Sequence, residues 1–534
     1  MFDSVLHMTK KTLSLGPLPD ALASELRALT VNAATGSLDN GDRLEIEGSF
    51  TGETIGWVGR GTEEDVDEAF RRARTAQKRW ATVDPKKRGK ILLAFHDILL
   101  KNQKLLMDIV QLETGKSRDS AYEEIIHCAI TARYYGNQAH KILKDKRRSG
   151  VMPVFTKTTE RHLPKGVVGQ ISPWNYPLTL ALSDALPALA AGNALVAKPD
   201  SSTPFSALFA FKLLFEAGMP RDIVQVVTGP GRVVGNAIAE QCDHLMFTGS
   251  TATGKTLGEI AGRRLIGYSA ELGGKNPMVI TRDADVDKIM PAVLTGCFSN
   301  SGQLCVSIER IYVHKDRYDD FVRKFADATR NLTLGAGFDW NIQMGSLIGA
   351  AQLATVEKMV DDAVDKGATL VAGGKARPDL GPYFYEPTVF TDVPDEADLK
   401  RGEVFGPVVY VEKVDSHDEA VEKANDTAYG LNSSVFGPSK TATGIAERLF
   451  SGTVNINDGY AAAFASVDNE MGGTRESGQG RRQGATGLLK YTETQNVTDE
   501  RVLPIRGPEF LKPRAYALVM TVLLRAGKTF KILK

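Results

Sequence analysis

The sequence predicts an α/β protein built of more than one compact unit, and three observations carry that reading. From Gly166 onward, short apolar runs alternate with helical stretches, and the runs end in polar or glycine-rich turns. The 534 residues, at one domain per ~100–200, fill about three or four units. With 42% hydrophobic and 24% charged residues, a large buried core is available and a disordered or fibrous chain is excluded.

After an N-terminal tail, the first hundred or so residues read as helices. Thr62 and Asp65 make a loose capping box before Val66, Ala69, Phe70, Ala73 and Trp80, which recur at helical spacing. A second helix is expected through residues 91–110 and a third through 121–142. The alternating region then runs GVVGQIS, a helix from Leu178, ALVAK, a helix from Pro204, IVQVV, a helix from Arg232, HLMFT and a helix from Gly254. That order predicts a parallel sheet with helices on both faces, which binds ligands at the carboxyl ends of its strands. Those ends carry the turns at 172–175, 198–201, 228–229 and 248–250. The runs VMPVFTKTT and ERHLP suggest a hairpin outside this sheet. A second α/β unit follows Gly274, with a helix over 351–366 and strands at TLVAGG, VVYVEKV and SSVF.

Charge and cysteine usage narrow the function. Sixty-five basic side chains balance 65 acidic ones, which argues against a nucleic-acid partner. The four cysteines, at 128, 242, 297 and 305, form no Cys-x-x-Cys pair and have no histidine spaced for zinc, so neither a disulfide scaffold nor a metal site is expected. No secretory signal or membrane span is legible, and a cytoplasmic location is the expectation. The longest apolar run, residues 515–524, is too short to cross a bilayer and suits packing on a partner subunit better than lying along a membrane.

Three motifs bear on chemistry. Cys305 lies in FSNSGQLCVSIER, where the stretch before it is too polar for a core strand and Gly302 permits a turn that presents the thiol to a cleft. Glu271, in SAELGGKNP, ends an apolar strand; it is either a solvated strand end or, in a closed pocket, a general base of raised pKa. Residues 249–256, GSTATGKT, satisfy the P-loop pattern of a nucleotide hydrolase. The same strand-to-helix turn suits the pyrophosphate of a dinucleotide, and no apolar strand ending in Asp offers itself for Mg²⁺. The G-x-G-x-x-G fingerprint is absent.

PWNYP, LVAKPDSSTPFSA, FTGSTATG, ELGGKNP, GQLC and EVFGPV, in this order and rough spacing, resemble the aldehyde dehydrogenase superfamily over nearly the whole chain. The resemblance implies a Rossmann-type cofactor domain (residues 1–149 and 165–273), an α/β catalytic domain (274–480) and a small β oligomerisation element with a C-terminal extension (150–164 and 481–534) of a homodimer or homotetramer. It implies oxidation of a small-molecule aldehyde through a thioester, with Cys305 as nucleophile, Glu271 as the water-activating base and Asn175 as oxyanion donor. For the cofactor it implies Lys198 and Ser201 at the adenosine ribose, with Pro199, Asp200 and Gly229 beside them. Gly249 and Ser250 would meet the pyrophosphate, Trp174, Asn175 and Leu272 would follow the groove, and Glu403 and Phe405 would lie at the nicotinamide end.

Ser201 stands where NAD-preferring members commonly carry Glu, so NADP is favoured and NAD remains possible. Within the superfamily, the run from Lys165 to Pro204 and CFSNSGQLCVSIERIYV look like the actinobacterial NADP-dependent succinate-semialdehyde dehydrogenase type. Two arginines that hold the substrate carboxylate in the better-known branch are replaced here by Ser299 and Ser183, leaving Arg475 as a candidate cation. An aromatic or aliphatic aldehyde is the competing substrate.

Overall fold

Residues 43–150, 156–501 and 504–530 are described by the computed structural model. Their strands fall into four sheets. The chain enters through an antiparallel hairpin, β1 (Arg43–Glu47) and β2 (Thr54–Gly59), where helices alone are expected from the sequence. Gly56 of β2 lies against the Phe205 ring, with no room for a Cβ.

The expected capping box is present at the start of α1 (Glu63–Trp80): Thr62 Oγ1 accepts from Asp65 N, and Asp65 accepts from Thr62 N. The single helix expected over 91–110 is instead two, α2 (Pro85–Lys101) and α3 (Gln103–Thr114). Asn102 breaks it by leaving helical geometry and turning its side-chain amide back on the Ile98 carbonyl. α4 (Arg118–Ile142) follows.

The six-stranded sheet has the order β17-β9-β8-β5-β6-β7. Its strands are β5 (Val167–Ile171), β6 (Ala194–Lys198), β7 (Val224–Val226), β8 (His244–Thr248), β9 (Gly267–Glu271) and the short β17 (Gly478–Gln479). All neighbours are parallel except β17 on β9. β5, β6 and β8 are buried along their whole length, as a sheet covered on both faces requires. The crossovers include α5 (Pro177–Ala190), α6 (Pro204–Glu216) and α7 (Thr251–Arg264). The helix expected from Arg232 is only a tight turn, Gly231–Gly235, followed by Asn236–Ala239.

The second sheet, β12-β13-β14-β11-β10-β15-β16, comprises β10 (Asn276–Ile280), β11 (Ile308–His314), β12 (Thr369–Ala372), β13 (Thr388–Thr391), β14 (Val408–Val414), β15 (Asn432–Phe436) and β16 (Thr453–Ile456). Only β12 on β13 is antiparallel. A third, antiparallel sheet joins β3 (Lys146–Arg148), β4 (Thr156–Pro164) and β18 (Thr492–Glu500). β4 runs unbroken across the end of VMPVFTKTT and through ERHLP, so those two runs do not fold back on each other; residues 151–155 lie outside the described residues. Among the described residues, no helix is long and apolar enough to cross a membrane.

Candidate active site

The carboxyl ends of the six-stranded sheet meet the loop before β11, and the candidate residues gather there. α8 (Val286–Phe298) ends in a tight turn, Ser299–Gly302, in which Asn300, Ser301 and Gly302 all have left-handed φ, 49°, 56° and 70°. Gly302 is required: a Cβ would fall 2.1 Å from the Gly406 carbonyl oxygen. The turn delivers Cys305 partly exposed, whereas Cys128, Cys242 and Cys297 are buried.

Glu271 ends β9 and is buried. Burial lifts its pKa to about 7, against the pull of Arg482 and Lys490. Three residues on, Gly274 packs on the Cys305 carbonyl, where an added Cβ would approach to 2.7 Å. The two candidates lie within reach of each other's charge: burial first, then Glu271 and Glu403, push the thiol up, and Arg482 opposes them, leaving it at about 12. Glu271 is therefore not a solvated strand end.

Asn175 is buried, and its side-chain amide donates to the Gln303 carbonyl at 3.1 Å, two residues from the thiol. Its main-chain carbonyl receives Lys116 Nζ at 2.7 Å and Asn300 Nδ2 at 3.1 Å. Lys116 is completely buried against Glu124 at 2.7 Å and over the Tyr176 ring at 3.7 Å. Nothing in the local sequence around Lys116 or Glu124 announces this support.

The Glu403 carboxylate accepts from Gly274 N at 2.7 Å and fills the space where a Cβ on Gly273 would sit, 2.2 Å away. Burial raises its pKa to about 8. Glu309 holds this loop by accepting from Val404 N and Phe405 N, and pairs with buried Lys275 at 2.6 Å, which ties ELGGK to EVFGP. Phe405 stands edge-on to Trp174, ring centres 5.4 Å apart. Leu272 packs on Gly254 of α7.

Lys198 is buried at the close of β6 and donates to the Pro199 carbonyl at 3.0 Å; burial lowers its pKa, and Asp200 partly offsets this. Asp200 accepts from Ser202 N, and Ser201 donates to the Gly229 carbonyl at 2.9 Å. Gly249 donates to the Glu271 carbonyl, and Ser250 caps α7.

Two side chains singled out in the sequence have other partners. Lys255, the lysine of the P-loop pattern, is 60% exposed and pairs with Glu476 at 2.9 Å, so it does not cradle a phosphate beside Gly249. Arg475 is not free for a substrate carboxylate: one of its nitrogens donates to the carbonyls of Asn425 and Thr427, both at 2.7 Å, and the guanidinium covers Phe450. On the thiol's other flank, Tyr176, Leu180, Leu304, Val306, Tyr460 and Met471 pack with Cys305 and Phe464. Glu123 accepts from the hydroxyls of Tyr176 and Tyr460 at 3.1 Å. Ser183 is buried, and its hydroxyl has no hydrogen-bond partner among the described residues.

Cys305 and the buried carboxyl of Glu271 lie within reach of each other's charge, and comparison with known proteins identifies the class. Residues 38–497 match the model of the aldehyde dehydrogenase family, and the chain belongs to that family. A Mycolicibacterium smegmatis protein with the provisional name NADP(+) succinate-semialdehyde dehydrogenase is 52% identical over 510 residues, 95% of this chain and 99% of that one. A Mycobacterium ulcerans protein of the same provisional name is 50% identical over 518 residues, 96% and 100% of the two chains. Among solved structures, betaine aldehyde dehydrogenase of Staphylococcus aureus in complex with NAD+ superposes with TM-score 0.83 at 32% identity, over 88% of this chain and 94% of that one. An Escherichia coli NADP-dependent enzyme gives the same TM-score and identity, over 86% and 95%.

Proposed function

We propose that this chain oxidises succinate semialdehyde to succinate with NADP, NAD serving less well. The supporting observation is that Cys305 and Glu271 lie within reach of each other's charge, with Asn175 bonded two residues from the thiol and Glu403 held on the backbone of Gly274. The substrate and cofactor preference follow the names of the mycobacterial relatives.

The chemistry of the residues around the pair supports a nicotinamide dinucleotide. Gly273 leaves room for a carboxylate that no other residue would permit, and the capped start of α7 presents free N–H groups to an anion. Lys198, with Ser201 in place of an acidic residue, offers charge and a hydroxyl to a 2′-phosphate. Gly249 and Ser250 would hold the pyrophosphate, and Trp174, Leu272, Glu403 and Phe405 the nicotinamide half. When bound, the cofactor supplies the hydride acceptor that converts the tetrahedral adduct to a thioester.

The chain's own residues do the rest. Cys305 attacks the aldehyde carbon as its thiolate, and the oxyanion is received by the Asn175 amide and the Cys305 backbone N–H. Glu271 takes a proton from water, whose oxygen adds to the thioester; the acid leaves and the thiolate is restored. Subunit association is assigned to the β3-β4-β18 sheet and the helix Pro513–Phe530, whose Leu518, Val522, Leu523 and Leu524 are all more than half exposed.

The test is a single assay of reduced cofactor with an aldehyde panel, NADP and NAD, and the Cys305→Ala variant. Succinate semialdehyde with NADP is expected to give the highest kcat/KM, and Cys305→Ala to abolish turnover. Reduction that survives Cys305→Ala removes the thioester route. A higher kcat/KM for benzaldehyde or hexanal would overturn the substrate.

A further inference from the structure

One buried cation at this site has no part in the steps above. Arg482 is 4% exposed and forms an antiparallel bridge with Met471, N to O distances 2.9 and 2.7 Å. Its Nη2 donates to Asp184 Oδ2 at 2.7 Å and to Thr248 Oγ1 at 3.1 Å, while its buried Nε has no hydrogen-bond partner among the described residues.

Three contacts set it beside the reacting groups. Thr248 is the strand-register neighbour of Glu271. Gly472, next to the bridge, faces Glu271 Oε1, which a Cβ there would approach to 3.0 Å. Met471 itself packs in the cluster that surrounds Cys305.

We propose that Arg482 is a positioning residue for both half-reactions: its fixed charge favours the thiolate of Cys305 and the ionised form of Glu271 in a site whose burial opposes anions, and Asp184 holds it in place. The inference rests on Cys305 as nucleophile and Glu271 as base.

The surroundings keep this charge constant across the working range. From α4, burial and then Arg482 hold His127 neutral, its pKa near 3, while burial pushes Tyr135 well up. From α5, Asp184 stays ionised: against burial, Arg482 and Lys490 keep it near 2. Lys490 donates to Asp184 at 2.9 Å, and burial pushes Tyr491 well up. Arg481, the next residue, donates to the carbonyls of Gly473 and Gly480 and also pulls Glu271 down. Cys305 and Glu271 are left to give the pH response, together with Glu403, which titrates near 8 and raises the thiol pKa from the loop before β14. Arg482 leads the charges that lower Cys305 and Glu271.

The experiment uses the full chain and three variants: Arg482→Lys, Arg482→Gln, and the exchanged pair Asp184→Lys with Arg482→Glu. Iodoacetamide alkylation of Cys305 against pH is the direct readout, with Cys305→Ala as blank, alongside the pH profile of kcat and thermal melting. Arg482→Lys is expected to keep the alkylation midpoint within about half a pH unit of wild type. Arg482→Gln should raise it by at least about one unit, a tenfold slower reaction at neutral pH. The exchanged pair should recover melting temperature without recovering the midpoint. If the exchanged pair alkylates and titrates like wild type, or like Arg482→Lys, Arg482 is a structural brace and the proposal fails. Loss of the underlying reading looks different: Cys305→Ala would then remain active whatever stands at 482.

Discussion

Lys116 Nζ donates to the main-chain carbonyl of Asn175 at 2.7 Å from a position with no solvent access at all. The ammonium is balanced by Glu124 at 2.7 Å, and Glu124 in turn accepts from Thr179 N at 2.8 Å. The start of α5 and the loop carrying Asn175 are thus fixed by one buried ion pair. Breaking such a pair from one side leaves an uncompensated charge. Lys116→Met is expected to cost about 3–5 kcal/mol in chemical unfolding, and Lys116→Met with Glu124→Leu to recover most of it.

Asn175→Ala removes the only side-chain donor assigned to the oxyanion. A fall in kcat/KM of about 10²–10³ is expected, about 3–4 kcal/mol of transition-state stabilisation. Cofactor affinity, read by fluorescence quenching, should change far less, since the other residues assigned to the cofactor are untouched.

Glu271, with a pKa raised to about 7 by burial, must be ionised to accept a proton from water. Thioester hydrolysis should therefore rise with pH through about 7 and level off above it. Glu271→Gln should retain a burst of reduced cofactor, close to one per site, followed by slow turnover in stopped-flow.

The same shift has a stability consequence of defined sign. The folded state keeps a proton that the unfolded chain releases near 4.5, so the group's contribution is lost as pH rises from there through about 7. Relative to wild type, Glu271→Gln should gain up to about 3 kcal/mol at pH 8 and nothing at pH 4, measured by urea unfolding.

Ser201→Glu places a carboxylate where the hydroxyl now meets the Gly229 carbonyl. Like-charge contact with a 2′-phosphate should raise the KM for NADP more than about tenfold and leave NAD nearly unaffected, reversing the preference in steady-state assays.

Much of this architecture was legible because its signals are local. The buried strands β5, β6 and β8 announce themselves as short apolar runs, and the turn after β8 as a glycine-rich entry to a helix. The β1–β2 hairpin was missed although RLEIE alternates charged and apolar residues, because the run is only five residues long and its partner TIGWVG does not alternate. Asn102 stopped a helix by its own side chain, in a stretch whose apolar spacing continues on both sides. Arg482 and Lys116 carry no motif at all: each acts through partners far along the chain, Asp184 for one and Asn175 for the other. Only folding brings such charges to the site, and residue type without position cannot mark them.

The seat of Gly302 against the Gly406 carbonyl has a practical corollary. Two segments a hundred residues apart interlock there with no clearance for even a methyl group. Anyone grafting the cysteine-bearing turn from a relative, in order to alter what the protein accepts, must transplant the EVFGP segment with it; exchanged singly, either half inherits a lock cut for a different key.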